Sequence, residues 1–313
     1  MAVTLAQASA ANISDLQRGV VEMFTQESVI LDRLSYISIQ GNAYAYNRES
    51  VLPGVAFRAV NAGYVESTGI IVQATETLKI LGGDADVDRF IEQTMSNLYD
   101  QRAVQTRLKV KSLAMEFQNS FFNGDSSVDA NSFDGLKKRL TGTQVITPAT
   151  DGIPVVGTGT TAEINTFFDA LDMAISRVAN PQVIYANAAT RGRILSALRR
   201  VNQYVVPTGP KQEMTYNGIP IVDPGTKSDG TTMILPQTET VGTSTDCTSI
   251  YVVGFSGNEA TPGVAGLTNG GVSVRDIGEV SDKPVYRTRL EFYCGVATFG
   301  AKAACRLTGI RAS

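Results

Sequence analysis

The sequence predicts an α+β fold, a two-lobed body with an N-terminal arm and a long β-hairpin. Three observations carry that prediction. Two segments of apolar–polar alternation flank an irregular tip between residues 34 and 82; a run without glycine or proline extends over residues 84–123; and after residue 160 amphipathic helical segments alternate with short strand-like ones. The expected division is an arm at 1–33, a hairpin at 34–82, a first lobe with a long helix at 83–160, a second lobe at 161–270, and strands returning to the first lobe at 271–313.

Taken in order, residues 14–34 place Leu16, Val20, Phe24, Ile30, Leu31 and Leu34 at roughly helical spacing, with Ser14 or Asp15 as the N-cap. From Leu34 the period changes to two. Tyr36, Ser38, Gln40, Asn42, Tyr44 and Tyr46 lie on one face of a long strand, with Ile37, Ile39, Ala43 and Ala45 on the other. A second alternating segment spans residues 67–81, with Val72, Ala74, Leu78 and Ile80 opposite Gln73, Thr75, Thr77 and Lys79. Pro53, Gly54 and Gly63 break the chain between them. Strands of about fifteen residues make a hairpin about 50 Å long, whereas strands usually run to about five or six residues. Such a hairpin cannot bury both faces on its own domain.

Gly82 and Gly83 are expected to stop the second strand, Asp84 or Asp86 to cap one continuous helix, and Asn123-Gly124 to end it in left-handed backbone. Val87, Phe90, Ile91, Met95 and Leu98 form one apolar stripe, which Ala103, Val110, Leu113, Phe117 and Phe121 continue. This helix spans about 55 Å, more than the width of about 50 Å of a compact chain of this length. The subunit is therefore expected to be extended and partly covered by neighbours.

A glycine- and threonine-rich stretch leads to the second lobe. Thr160 and Glu163 make a capping box for a helix whose Ile164, Phe167, Phe168, Leu171, Ile175 and Val178 face inward. A strand at 181–187, a helix at 190–201 with Ile194, Leu195 and Leu198 inward, and short strands near 219–222, 232–235 and 249–253 complete it.

The 313 residues include 27 Lys+Arg, 30 Asp+Glu, 29 Gly, 3 Cys and no His, giving a net charge of -3. Without histidine, the commonest general base and the commonest zinc ligand are both missing, so the usual hydrolases are disfavoured. The slight acidity predicts only weak, non-specific contact with nucleic acid. Charged residues are 18% of the chain, below the roughly 25% of ordinary domains, which marks an uncharged surface. Cys247, Cys294 and Cys305 form no metal-binding spacing and read as reduced thiols of a cytoplasmic protein; no apolar run is long enough to span a membrane.

Some stretches resemble chemical motifs incompletely. Gly157-Thr158-Gly159 precedes a helix, as a phosphate loop does, but lacks a third glycine and a following lysine. Asp125, Asp129, Asn131 and Asp134 gather oxygens without the EF-hand order, so a Ca²⁺ site competes with an Asx-rich turn. Arg191, Arg193, Arg199 and Arg200 crowd one helix as a phosphate-binding or salt-bridging face, and Asp169 and Asp172 lie on exposed helix surface. No catalytic, cofactor or metal residue is assigned.

The order of elements resembles the major capsid proteins of tailed bacteriophages, whose HK-ninety-seven-like fold is shared with encapsulins. The resemblance rests on Arg48-Glu49 and Leu52-Pro53 entering the hairpin tip, Glu66-Ser67 leaving it, Ile80-Leu81-Gly82-Gly83, and Asp100-Gln101-Arg102-Ala103. It continues through Asn123-Gly124-Asp125, Phe133-Asp134-Gly135-Leu136, Gly218-Ile219-Pro220 and Arg306-Leu307-Thr308-Gly309-Ile310. It implies an N-arm, an E-loop (34–82), a P-domain with a spine helix (83–160, joined by 271–313) and an A-domain (161–270). It further implies hexamers and pentamers closing into an icosahedral shell around double-stranded DNA in the host cytoplasm, with a portal and decoration proteins as partners and no membrane.

Assembly contacts are expected from Arg48, Glu49, Pro53, Gly54, Arg58, Glu66, Asp100, Arg102, Phe133 and Asp134. Gly41, Gly54, Gly63, Gly69, Gly82 and Gly83 read either as hinges or as plain turns and bulges. No lysine lies within 51–66, so the covalent crosslinking of some relatives is not expected. The hairpin begins near residue 34, whereas some relatives carry an N-terminal scaffolding domain before it; assembly is expected to depend on a separate scaffolding protein or on such a segment removed before this numbering begins, and the initial Met favours the former. The alternatives are an encapsulin shell with protein cargo and a nucleotide- or phosphate-binding enzyme using the 157–161 loop.

Overall fold

The computed structural model describes residues 24, 28–95, 101–201 and 214–312. The first half contains β1 (Tyr36–Ser38), β2 (Ala43–Val51), β3 (Ile70–Thr77), β4 (Lys79–Asp88), α1 (Arg89–Met95), α2 (Gln101–Asn123), α3 (Leu136–Arg139), β5 (Val145–Ile146) and β6 (Ile153–Pro154). It continues through α4 (Thr161–Ser176), β7 (Val183–Tyr185), α5 (Ala188–Arg200), β8 (Thr215–Tyr216), β9 (Ile219–Val222), β10 (Glu239–Val241) and β11 (Ser244–Val253). Three long strands follow, β12 (Gly263–Glu279), β13 (Val285–Phe299) and β14 (Ala304–Arg311).

The class is α+β, as the sequence predicts. One sheet has the order β1-β12-β13-β4, a second the order β5-β14-β11-β7-β9-β8 with β10 and β6 alongside, and β2-β3 form a separate two-stranded ribbon. The largest core joins α2 to both sheets: Phe117 packs on Phe292 of β13 at 5.7 Å, and Phe122 on Tyr185 and Tyr251 at 5.3 and 5.1 Å. Phe24, Ile30, Leu31 and Leu34 are buried in this core; residues 28–34 form a turn where helix is expected, and 14–23 and 25–27 lie outside the described residues.

The expected long strand from Leu34 is two strands. Gly41 takes a φ of +100°, which turns the chain between β1 and β2. β1 then pairs in parallel with β12, where Gly266 faces Tyr36 and leaves room for its ring.

The expected helix start at Asp84 is also corrected, because Lys79–Asp88 is strand, paired along its length with β13. Gly82 and Gly83 lie inside it. A Cβ on Gly82 would sit 2.4 Å from the Leu290 carbonyl oxygen, and one on Gly83 would meet the Lys109 side chain at 2.5 Å. Asp84 and Asp86 cap nothing; they stand directly opposite Arg289 and Arg287, with Nε to Oδ1 at 2.8 Å and Nη2 to Oδ2 at 2.6 Å. Cross-strand ion pairs at period two thus override the helical reading of that segment. Helix begins at Arg89, and α2 alone spans about 34 Å. Val110, Leu113, Phe117 and Phe121 are buried as expected, while Leu98 and Asp100 lie outside the described residues.

Gly124 does not adopt the expected left-handed exit. It is required for closeness instead, since a Cβ there would lie 2.3 Å from the Phe133 carbonyl oxygen and 2.6 Å from that of Ser120.

In the second sheet's neighbourhood, Thr160 caps α4 as predicted, its Oγ1 accepting the Glu163 N–H at 3.4 Å. Ile164, Phe167, Phe168 and Leu171 are buried beneath it. Asn187 caps α5 through the Thr190 N–H at 2.8 Å. The expected strand at 232–235 is a single bridge, Thr226 with Met233, although Ile234 and Leu235 are buried.

Candidate assembly surface

The β2-β3 ribbon pairs from Ala43 opposite Thr77 to Val51 opposite Ile70, with a shift of register between Glu49 and Val51, then opens into a tip. The tip has internal order. Ser67 Oγ donates to the Gly54 carbonyl at 2.9 Å, Arg58 donates to the Ala62 carbonyl at 3.2 Å, and its guanidinium lies 5.1 Å from the Tyr64 ring centre. What the tip lacks is cover. Phe57 is fully exposed and Val55 is 96% exposed, with Leu52, Val60, Tyr64 and Val65 close behind. Ile70, Ile71 and Val72 on the ribbon itself are more than half exposed. Exposed large apolar residues gathered on one arm in this way mark a contact surface.

The root of the arm, by contrast, is tied down. Tyr46 is buried, edge-on to Phe299 at 5.1 Å, and its hydroxyl donates to the Thr298 carbonyl at 3.3 Å. Around it lie Ile39, Ala265, Leu267 and Ala297. The Tyr44 hydroxyl donates to the Glu259 carboxylate; partial burial and then this neighbour push the phenol up to about 12. Lys79 Nζ donates to the Ala130 carbonyl at 2.7 Å, and Arg139 of α3 makes a two-pronged ion pair with Glu76 of β3, Nη2 to Oε2 being 2.7 Å.

Of the residues singled out in the sequence, Arg48 and Glu49 sit on β2 opposite Val72 and Ile71, and Pro53, Gly54, Arg58 and Glu66 lie on the exposed tip. The structure brings these six onto one arm. Arg102, Phe133 and Asp134 lie elsewhere, and Asp100 is outside the described residues. Arg102 on α2 pairs with Asp276 at 2.7 Å and stacks over Tyr286 at 5.3 Å. Phe133 is buried against Phe117 at 5.8 Å. Asp134 accepts the Ser126 N–H at 2.8 Å and pairs with Lys138 at 3.0 Å. Desolvation opposes its ionised form, yet the Ser126 N–H and hydroxyl and the Lys138 ammonium hold it down to about 2. Sequence reasoning missed Glu76, Arg139, Tyr44 and Glu259, because their pairing joins segments 63 and 215 residues apart and leaves no local pattern.

The enzyme-like motifs are occupied from within. At the 157–159 loop, the Thr158 N–H donates to Glu163 Oε2 at 3.0 Å, and the hydroxyls of Thr158 and Thr160 do so at 2.6 and 3.0 Å. These bonds, the Thr158 hydroxyl first, hold the Glu163 carboxyl below its usual range, so the loop already cradles an anion of its own. The oxygen cluster after α2 is organised by Asx turns, with Ser127 N–H on Asp125 and Asn131 N–H on Asp129, and by the Lys138 ammonium 2.7 Å from Asp125. Among the described residues no group of three His, Cys, Asp or Glu is placed to hold a metal. The cysteines are buried, and burial raises the thiols of Cys294 and Cys305 to about 12 and 11, far from the reactive thiolate. Among the described residues no helix is long and apolar enough to cross a membrane.

Against this geometry, comparisons with known proteins are specific. A family model described as Major capsid protein GP7 matches residues 14–169. The fold is similar to the holo-SrpI encapsulin of Synechococcus elongatus, with 18% identity, a TM-score of 0.65, and 99% of this chain and 96% of that one covered. It is similar to the capsid of a native GTA particle at 12% identity and TM-score 0.65, covering 91% and 90%. It also resembles Microbacterium phage Oxtober96 at 14% identity and TM-score 0.60, covering 90% of each chain. No curated protein matches. The chain therefore has the HK-ninety-seven-like fold and, through residues 14–169, belongs to the major capsid protein GP7 family.

Proposed function

We propose that this protein is the structural subunit of an icosahedral bacteriophage capsid, self-assembling into hexamers and pentamers that enclose double-stranded DNA, with no catalytic role. The single observation that carries the reading is the arm: an ordered tip whose large apolar side chains are left exposed by its own body. A second copy provides the missing cover. In this reading 1–33 is the N-arm, 34–82 the E-loop, 83–160 with 271–313 the P-domain and 161–270 the A-domain. Arg48, Glu49, Pro53, Gly54, Arg58 and Glu66 form contacts directly from the arm, while Asp100, Arg102, Phe133 and Asp134 act from the P-domain.

The shell is built in the bacterial cytoplasm with a separate scaffolding protein, a portal and decoration proteins, and touches its genome only weakly. A near-neutral chain suits that task, because strong phosphate contacts would hold DNA in place during packing. Electron microscopy and sedimentation of the purified protein test the proposal: closed megadalton shells or capsomers support it, and a monomer that never self-associates, even with scaffold, rejects it. The similarity that covers 99% of the chain is to an encapsulin, which favours a protein-filled compartment as the second reading. Nuclease-sensitive DNA inside native particles selects the virion; an enclosed enzyme selects the compartment.

A further inference from the structure

The ion pair between Glu76 of β3 and Arg139 of α3 belongs to none of the motifs read from the sequence, and its side chains are only 20% and 12% exposed. It joins the arm to the body. Glu76 lies at the root of β3, opposite Tyr44, and its Oε1 also faces the Tyr46 hydroxyl at 3.5 Å. Arg139 is the last residue of the one-turn helix α3, and it is itself held, its Nε donating to the Asp134 carbonyl at 2.5 Å.

Behind Arg139 stands a rigid seat. Gly135 donates its N–H to the Gly124 carbonyl, bringing the start of α3 against the end of α2. Asn123 Nδ2 donates to the Ile234 carbonyl at 2.7 Å, and Lys138 bridges Asp125 and Asp134. The Asn123-Gly124-Asp125 and Phe133-Asp134-Gly135-Leu136 segments thus position one guanidinium. That guanidinium meets the arm on its root strand.

We propose that Arg139, seated by these two turns, fixes through Glu76 the angle at which the arm leaves the body, and thereby whether the arm reaches its contact on a second copy. Both residues are positioning residues; neither touches the partner. The inference rests on the reading that the arm covers a neighbouring subunit. The lever is long enough for the angle to matter: from Tyr44 to Val51 the ribbon extends about 23 Å, so a tilt of about ten degrees moves its end by about 4 Å. A displacement of that size separates apolar surfaces that need contact within about 4 to 4.5 Å. Removing one member of a mostly buried pair leaves the other charge uncompensated, which drives the root to rearrange.

The test compares Glu76→Gln, Arg139→Lys and the wild type, each carrying Ala62→Cys on the tip and Ser281→Cys on the body for spin labels; the native cysteines are buried. Tip-to-body distances are measured in the unassembled subunit by pulsed electron resonance, with circular dichroism as the check on folding. In Glu76→Gln the distance distribution is expected to widen about twofold and shell yield to fall about tenfold, as expected for loss of a mostly buried charge pair. Arg139→Lys, which keeps the charge and loses the two-pronged geometry, falls between. It also carries the test should Glu76→Gln fail to fold.

An unchanged distance distribution in these variants overturns the proposal, as does a widened one with normal shells. A separate arm rejects the underlying reading: if deleting residues 51–65 leaves normal shells, the arm makes no assembly contact at all.

Discussion

Gly135 and Gly124 touch backbone to backbone, the N–H of the first donating to the carbonyl of the second at 2.8 Å, with no space for a side chain on either. A Cβ on Gly135 would lie 2.6 Å from the Ser120 carbonyl oxygen and 2.7 Å from the Gly124 nitrogen. Backbone atoms on both sides cannot swing away as a flexible side chain would. Gly135→Ala is therefore expected to destabilise the subunit by about 1 to 3 kcal/mol, the usual cost of overpacking. Urea denaturation of the unassembled subunit measures it; an unchanged midpoint refutes the close-packing account.

Phe57 and Phe117 separate folding from assembly. Phe117 is completely buried, and Phe117→Ala is expected to cost about 3 to 5 kcal/mol of subunit stability. Phe57 is fully exposed, so Phe57→Ser should leave the melting temperature of the unassembled subunit unchanged while reducing shell yield. Paired melting and sedimentation measurements check both, and a normal yield from Phe57→Ser removes the tip aromatic from the contact.

Deletion of residues 51–65 removes the tip without touching the Tyr46 cluster or the Glu76 pair. The product is expected to remain folded and soluble, with native circular dichroism, and to form no shells by electron microscopy.

Asp134 gives a pH signature. Its folded value of about 2 lies below the ordinary 3.8, so as pH falls the unfolded chain takes up the proton first. Its contribution is complete above the unfolded value and is lost as pH drops through the interval from about 4 to about 2. The denaturation midpoint of Asp134→Asn should therefore converge on that of the wild type across this interval. Parallel curves from pH 6 to pH 2 contradict the assignment.

Residues 160–176 are the most legible region, because the signals there are local. The Thr160–Glu163 cap and the apolar face of α4 are set within a few turns of chain, and both appear where the sequence places them. Residues 82–88 misled for the opposite reason: the partners of Asp84 and Asp86 are arginines about two hundred residues away. The closing Arg306-Leu307-Thr308-Gly309-Ile310 segment was recognisable only as a resemblance, and the structure supplies its physics. Ile250 pairs with Leu307 but Thr248 with Ile310, a bulge that Gly309 accommodates at a φ of +76°. The site itself was half visible. A hairpin too long to bury both faces can be read from its two alternating segments, whereas the clasp at its root joins four segments that meet only after folding.

The uncovered tip also determines how free subunits respond to temperature. Its 51–66 segment carries only Arg58 and Glu66 as charges against a run of aliphatic and aromatic side chains, so salt has little to screen there. Association through such a surface is driven by water release and weakens on cooling. Contact made through the tip is therefore expected to loosen as the solution is cooled and to be little affected by the screening of charge.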